Sequence, residues 1–169
     1  MDGAKAGFVY TFECLDEHGN VLWVEKDRKN LLPLVGRQRI LTSGILSSTW
    51  YLGLFATNYT PLDADTLATL LTAAPEFTGY SESQRVEWEP YALGSGSTLT
   101  NTQGDPEDAQ LAVFNITSSA TLYGSFLCSQ PTKSNTTGTL LSAVKFSTAQ
   151  AVVSGNRIRV SAGIVLVSA

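Results

Sequence analysis

The stretch GFVYTFECLDEHGNVLWVEK, residues 7–26, alternates apolar with polar side chains on both sides of a polar turn. In its first half the large side chains fall at every second position, and alternate side chains share one face of a strand. They are Phe8, Tyr10, Phe12 and Cys14. The turn DEHGN, residues 16–20, contains residue types that favour reversal of the chain. The pattern predicts a β-hairpin.

Two elements are predicted immediately after this hairpin. Apolar side chains recur at near-helical spacing over residues 31–45, between a candidate N-cap at Asn30 and a closing Gly44, which predicts a helix. Residues 49–56, TWYLGLFA, are apolar on both faces. This predicts a strand that is covered by a sheet on one face and by a helix or a partner on the other.

The residues from Thr60 to Asp63 combine a capping residue, a proline and a carboxylate, which predicts the start of a short helix that ends before Pro75. Its predicted buried residues are Leu67, Leu70 and Leu71. Strand patterns return in five later segments, at residues 85–90, 109–117, 120–129, 138–147 and 156–168. We interpret the last four as a meander with short links, and residues 94–108 and 129–138 as loops.

These elements predict one domain over residues 1–169 with an all-β, mainly antiparallel fold. The expected architecture is a β-sandwich or jelly roll with one or two short helices inserted in the N-terminal half. Composition agrees, because 19 Thr and 17 Ser accompany only 15% charged residues. Thr suits strands, whereas the surface helix formers Glu, Lys and Arg are scarce. Residues 1–6 carry no pattern and are expected to form a flexible arm.

The charge distribution argues against nucleic acid as a partner. Residues 40–169 carry five basic and nine acidic side chains, and phosphate binding requires a concentrated basic face. The basic stretch EKDRKN, residues 25–30, is interpreted as a solvated surface. The apolar runs are far shorter than the roughly 18 residues that cross a bilayer, so no membrane partner is expected.

The two cysteines, Cys14 and Cys128, are predicted to be free and buried. The start MDGAKAGF lacks the basic, apolar and small-residue order of a secretion signal. We therefore expect assembly in a reducing cytoplasm.

Few residues are candidates for catalysis. His18 is the single histidine, and its place in the hairpin turn predicts a solvated imidazole rather than a base beside Cys14. Glu87 and Glu89 are expected to project from one face about 7 Å apart, a separation that suits some glycosidases. Alternation with inward-facing Trp88 produces the same spacing, and we favour that interpretation.

Several carboxylates and tryptophans are candidate ligand-binding groups. Asp63 with Asp65, and the acidic residues of loop 105–108, lack the spacing of a calcium loop. Trp23, Trp50 and Trp88 could stack on sugars, but strand alternation favours a place in the core. We predict no enzymatic activity, no cofactor, no metal and no small-molecule substrate.

The order of several segments resembles a family of tailed-bacteriophage virion structural proteins associated with capsid decoration or cement. The resemblance is carried by FECLDEHGNVLWVEKDRKNLL, TWYLGLF, DADTL, GYSESQR and the run from FNIT through LYGSFLCS to NRIRV. Its motif positions are aromatic and glycine residues rather than catalytic ones. They are Trp50, Tyr51, Gly53, Gly79, Tyr80 and Gly124.

The resemblance implies a non-enzymatic homo-oligomer that binds the major capsid protein at the capsid surface. A tail or baseplate component and a glycan-binding β-sandwich remain the alternatives. The expected partner contacts are the N-terminal arm, one face of the TWYLGLF strand and the long polar loops. The candidate residues are Met1, Asp2, Lys5, Trp50, Tyr51, Phe55, Asp105, Glu107 and Lys133.

Overall fold

The computed structural model describes residues 5–30, 33, 35, 36, 44–93, 98–101 and 111–167. Eleven strands are defined within these residues: β1 Lys5–Leu15, β2 Val21–Lys29, β3 Trp50–Phe55, β4 Glu76–Phe77, β5 Val86–Trp88, β6 Tyr91–Leu93, β7 Thr98–Thr100, β8 Ala112–Asn115, β9 Ala120–Cys128, β10 Leu140–Val152 and β11 Arg157–Val167. Helix α1, Leu67–Ala73, lies between β3 and β4. In the described part of the chain, no helix is long and apolar enough to cross a membrane.

The strands form two antiparallel sheets. Sheet A has the order β2-β1-β11-β7-β6, with β8 also paired to β11. Sheet B has the order β10-β9-β3-β4, with β5 also paired to β3. The fold class is therefore all-β, mainly antiparallel and sandwich-like, as the strand patterns predicted.

The main core lies between the two sheets. The inward-facing aromatic residues of β1 are almost fully buried, as the hairpin pattern predicted. Phe8 packs edge-on against Trp88, with ring centroids 5.5 Å apart, and Phe12 packs against Phe146 at 4.7 Å. On the facing sheet B, residues of β3 that include Leu52 and Leu54 complete this cluster.

A second apolar cluster covers the other face of sheet B. Leu67, Leu70 and Leu71 of α1 pack there with Phe55 and Phe126. The prediction for the TWYLGLF strand is confirmed, because one of its faces meets the opposite sheet and the other meets a helix.

Three of the glycines named in the resemblance have a packing reason. A Cβ on Gly53 would collide with the ring of Phe126, and a Cβ on Gly124 would collide with the ring of Phe55. A Cβ on Gly79 would collide with Phe77. Only glycine allows these rings to lie directly against the backbone.

Two local predictions about the middle of the chain were wrong. Helix α1 begins at Leu67 with Thr66 as its N-cap, whereas Thr60 had been predicted to cap it. Thr66 satisfies the free N–H of Thr69, so the cap lies six residues later than predicted. Residues 98–100 were predicted to be loop but form β7, because β11 supplies an antiparallel partner.

The meander prediction for the last strands holds for β9 and β10, which pair antiparallel, and is wrong at the links before and after them. The short link at Ser118–Ser119 joins β8 of sheet A to β9 of sheet B, and these two strands are not paired. The turn around Gly155, whose φ is +93°, likewise joins β10 of sheet B to β11 of sheet A. The chain crosses between the two layers at both links.

The N-terminal predictions are met in part. Strand β1 begins at Lys5, which pairs with Val167, so residues 5 and 6 are part of the sheet rather than of an arm. Residues 1–4 lie outside the described residues. Most of the helix predicted over residues 31–45 also lies outside them, although Val35 and Gly36 are helical and Gly44 has a φ of +65°.

Candidate functional site

Arg85 belongs to a fully buried ion pair. Its Nη2 donates to Glu76 Oε2 at 2.8 Å, and its Nε donates to Glu76 Oε1 at 3.0 Å. Further N–H groups donate to the carbonyl oxygens of Gln130 and Asn135, both at 2.9 Å, and to Cys128 Sγ at 3.4 Å. All the N–H groups of the guanidinium therefore have a partner within the chain.

This ion pair fastens the loop at residues 129–139 to sheet B. Glu76 Oε2 also accepts the backbone N–H of Ser134 at 2.6 Å, and the backbone N–H of Arg85 donates to Pro131 at 2.8 Å. Burial alone would lower the pKa of Arg85, but the hydrogen bonds to Glu76 raise the pKa above its ordinary value. These groups are fully engaged with each other, so we interpret their role as structural.

Lys133, a predicted partner contact, is engaged in the same region. Its Nζ donates to the carbonyl oxygen of Tyr80 at 2.9 Å and lies 3.7 Å from the centroid of the Tyr80 ring. Burial lowers the pKa of Lys133. Its ammonium group therefore has hydrogen-bond and ring partners within the same chain.

The predicted carboxylate pair lines an open pocket. Glu87 and Glu89 are exposed, whereas Trp88 between them is 1% exposed and donates its indole N–H to Ala162. The pocket has a volume of about 270 Å³. Its other lining residues are Leu46, Ser47, Ser48, Thr49 and Pro90. Hydroxyls and carboxylates in an open depression can form hydrogen bonds to a polar ligand.

The other two tryptophans pack against the core, and the histidine lies in an exposed turn. Trp50 is buried and donates its indole N–H to the carbonyl oxygen of Ile45 at 3.0 Å, so it is a core residue. Trp23 is half-buried beside Phe146. His18 is exposed, with Nε2 lying 3.4 Å from Glu17.

Both cysteines are free and buried, as predicted. Burial raises the pKa of Cys14 to about 11, which keeps this thiol protonated at neutral pH. Burial also raises the pKa of Cys128. Thiols in this state are weak nucleophiles.

The acidic candidates do not assemble a metal site within the described residues, where no group of three or more His, Cys, Asp or Glu side chains comes together. Asp65 is buried and accepts the backbone N–H of Leu62 at 2.8 Å and the hydroxyl of Tyr59 at 3.1 Å. Asp65 therefore shapes the turn before α1. Asp63 is exposed.

The remaining partner candidates are distributed as follows. Trp50 and Phe55 are 1% and 0% exposed, so the fold of this chain already covers them. Tyr51 is half-buried, and Lys5 contributes backbone pairing in β1. The other four candidates lie outside the described residues: Met1, Asp2, Asp105 and Glu107.

Sequence reasoning assigned Glu25 incorrectly. It was placed on a solvated surface but is 7% exposed, and its Oε1 accepts the backbone N–H of Ser147 at 2.9 Å. Arg28 Nε lies 3.0 Å from the same oxygen. This carboxylate links β2 of sheet A to β10 of sheet B. The sequence did contain a signal for its burial, because Glu25 lies two residues after Trp23 and therefore on the same, inward side of the strand.

Sequence reasoning also missed a group of exposed apolar side chains on the hairpin of β1 and β2. Val21 and Leu22 are 52% and 54% exposed, and Val9 and Val24 are each 37% exposed. We call these four residues the hairpin patch. Leu22 and Val24 alternate with inward-facing Trp23, so the strand is apolar on its solvent side as well.

Comparisons with protein-family models, with curated proteins and with solved structures found no match to this chain.

Proposed function

We propose that the chain is a non-enzymatic structural protein of a tailed-phage virion, which decorates or cements the capsid by binding major capsid subunits. In this proposal it assembles in the host cytoplasm, forms a homo-oligomer and lies at the capsid surface. The sequence resemblance motivates the proposal. The structural observation that supports it best is the hairpin patch.

Much of the exposed apolar surface belongs to one hairpin, where Val21, Leu22 and Val24 lie within four consecutive residues of β2. Seven large apolar side chains are exposed in the described part of the chain, and four of them belong to the patch. Exposed apolar side chains that cluster in this way are typical of surfaces covered by another protein. The low charge content, 15%, also suits a protein whose surface meets neighbours, because interface centres are depleted in charged residues.

On a repeating shell, contacts that are individually weak are sufficient for attachment. Each copy of a decoration protein that touches more than one subunit gains from the high effective concentration of the second contact. The buried Glu76–Arg85 pair supports this role, since it holds a long polar loop in a defined position without exposing charge.

Copy number in purified virions tests the proposal. Quantitative mass spectrometry against the major capsid protein should give a stoichiometric multiple of the capsomers. Particles that lack the protein should release their genome at a lower temperature, and adding the purified protein should restore the original temperature. A few copies per particle, found in tail fractions, would contradict the capsid role and support the tail or baseplate alternative.

The pocket beside Glu87 and Glu89 favours a second candidate, glycan binding. Its hydroxyl and carboxylate groups suit hydrogen bonds to sugar hydroxyls, although the Trp88 ring itself is buried. A glycan array should then show binding that Glu87→Ala removes and that Glu17→Ala, a change of an exposed carboxylate elsewhere, leaves intact. An array without signal excludes this candidate.

A further inference from the structure

We propose that β2 pairs edge to edge with β2 of a second copy, which forms an antiparallel, two-fold symmetric dimer across the open edge of sheet A. The inference deepens the oligomerisation part of the proposed function by naming its interface. It does not depend on capsid binding, because it concerns the purified chain alone.

Strand β2 offers an unpaired edge. It is the end strand of sheet A, and within the described residues β1 is the only strand that pairs with it. An edge strand directs backbone N–H and C=O groups outward, where they can pair with another strand. Proteins usually block such edges with charges, prolines or bulges.

Two of these blocking features, charges and prolines, are absent from the first half of β2. Residues 21–24, VLWV, contain neither a charge nor a proline. The register with β1 shifts at two places: Leu22 is skipped between the pairs Cys14–Trp23 and Leu15–Val21, and a second shift lies around Asp27, which adopts a φ of +54°. The regular part of the open edge is therefore short and runs from Trp23 to Glu25.

Three of the four residues of the hairpin patch belong to this open edge. Val21, Leu22 and Val24 lie on it and expose between 37% and 54% of their surface. A strand that pairs here would gain backbone hydrogen bonds and would cover apolar side chains at the same time. Both gains come from the same few residues.

Charge complementarity selects a second copy as the occupant. The turn before β2 carries acidic Asp16 and Glu17, whereas the far end of β2 carries three basic residues and one acidic residue on its exposed or half-exposed positions. These are Lys26, Arg28 and Lys29, with Asp27. Antiparallel pairing centred on residues 22–24 brings the acidic turn of each copy beside the basic end of the other. Because the dimer is two-fold symmetric, this contact between an acidic turn and a basic strand end occurs twice. Parallel pairing would instead place the two acidic turns together and the two basic ends together.

The interface is small, because the regular edge is short. It falls below the roughly 1,600 Å² of a standard stable interface. We therefore expect a dimer that dissociates at about micromolar concentration. Attachment of several copies to a repeating surface would strengthen it through effective concentration.

Sedimentation equilibrium of the full chain over a range of concentrations measures the dimer directly. Leu22→Lys should weaken dimerisation at least tenfold, because it places two like charges near the two-fold axis. Leu62→Lys is the matched control, since Leu62 is 56% exposed and lies outside the hairpin. It should leave the dissociation constant unchanged.

A charge exchange tests the orientation. Glu17→Lys should weaken the dimer, and the double variant Glu17→Lys with Lys29→Glu should recover it. A contact that is only apolar would not respond in this way. Loss of dimer in both variants would overturn the antiparallel arrangement.

Cross-linking provides a readout if a charged variant folds poorly. Under mild oxidation Leu22→Cys should form an intermolecular disulfide, whereas Leu62→Cys should not, because the native thiols are buried. A monomer up to millimolar concentration, or a dimer that neither Leu22→Lys weakens nor Leu22→Cys traps, would overturn the proposal.

Discussion

One edge of sheet B is formed by two short strands, β4 and β5, which have two and three residues. One edge of sheet A is formed by β2, which is nine residues long. The short edge lies beside the buried Glu76–Arg85 pair, whose hydrogen bonds tie it to the loop at residues 129–139. The long edge carries the hairpin patch. The edge of sheet B is held by hydrogen bonds within the chain, whereas the edge of sheet A exposes apolar side chains that a second molecule could cover.

The largest expected effect comes from breaking the secured edge. Arg85→Met should lower the free energy of unfolding by about 3–5 kcal/mol, because it leaves the Glu76 carboxylate buried without its charge partner. Urea denaturation followed by tryptophan fluorescence measures the loss. Adding Glu76→Gln to this variant should recover part of the stability.

Arg159→Met is the control for that variant. Its ion pair with Glu13 is partly exposed and should contribute at most about 1 kcal/mol. Equal losses in Arg85→Met and Arg159→Met would contradict the importance assigned to the buried pair.

The next effect concerns the link between β2 and β10. Glu25→Ala should cost about 1–3 kcal/mol, because the backbone N–H of Ser147 loses its acceptor. Hydrogen exchange of the Ser147 amide should accelerate more than that of amides in β9. Glu17→Ala removes an exposed carboxylate from the same hairpin and, at protein concentrations where the chain is monomeric, should change neither quantity. Unchanged exchange at Ser147 in Glu25→Ala would rule out the proposed link.

The pH dependence of stability distinguishes the core thiol of sheet A. The pKa of Cys14 is raised from 9.0 to about 11, so the unfolded chain loses this proton first as the pH rises. The raised pKa therefore contributes stability below pH 9 that is lost between pH 9 and about 11. Between pH 9 and 10 this thiol should account for a loss of about 1 kcal/mol. The Cys14→Ala variant should show a shallower decline, and identical declines would disprove the assignment.

The smallest effect is expected at the open edge. Leu22→Thr should change the unfolding free energy of the monomer by less than about 0.5 kcal/mol, because Leu22 is exposed and packs against little. The same substitution at buried Leu54 should cost several times more. Denaturation of the two variants at low protein concentration makes the comparison. A large loss for Leu22→Thr would show that the hairpin patch packs within the chain.

Local patterns predicted individual elements better than their partners. The alternation of Phe8, Tyr10 and Phe12 predicted β1, since the pleat directs alternate side chains to one face. The links at residues 118–119 and around Gly155 were predicted as short links of a meander, but the patterns did not reveal that each link changes sheets. A short polar link has the same local sequence pattern whether it joins two paired strands of one sheet or two strands of different sheets.

The candidate site was harder to predict because its polar contacts join distant residues. Arg85 donates to Asn135, 50 residues away, and Glu25 accepts from Ser147, 122 residues away. Before folding, each of these side chains resembles any other charged surface residue. The hairpin patch was missed for a related reason, since apolar residues in a strand suggest a core and do not indicate that the strand will lie at an edge.

Local alternation was sufficient to predict that this chain forms antiparallel strands, where most of them lie and which side chains fill their inner faces, because backbone pleating converts alternation into amphipathic strands. It could not predict which strands would become edges, which charges would be buried in pairs and which apolar residues would stay exposed. These outcomes depend on pairings between distant segments, whose energies no local pattern records.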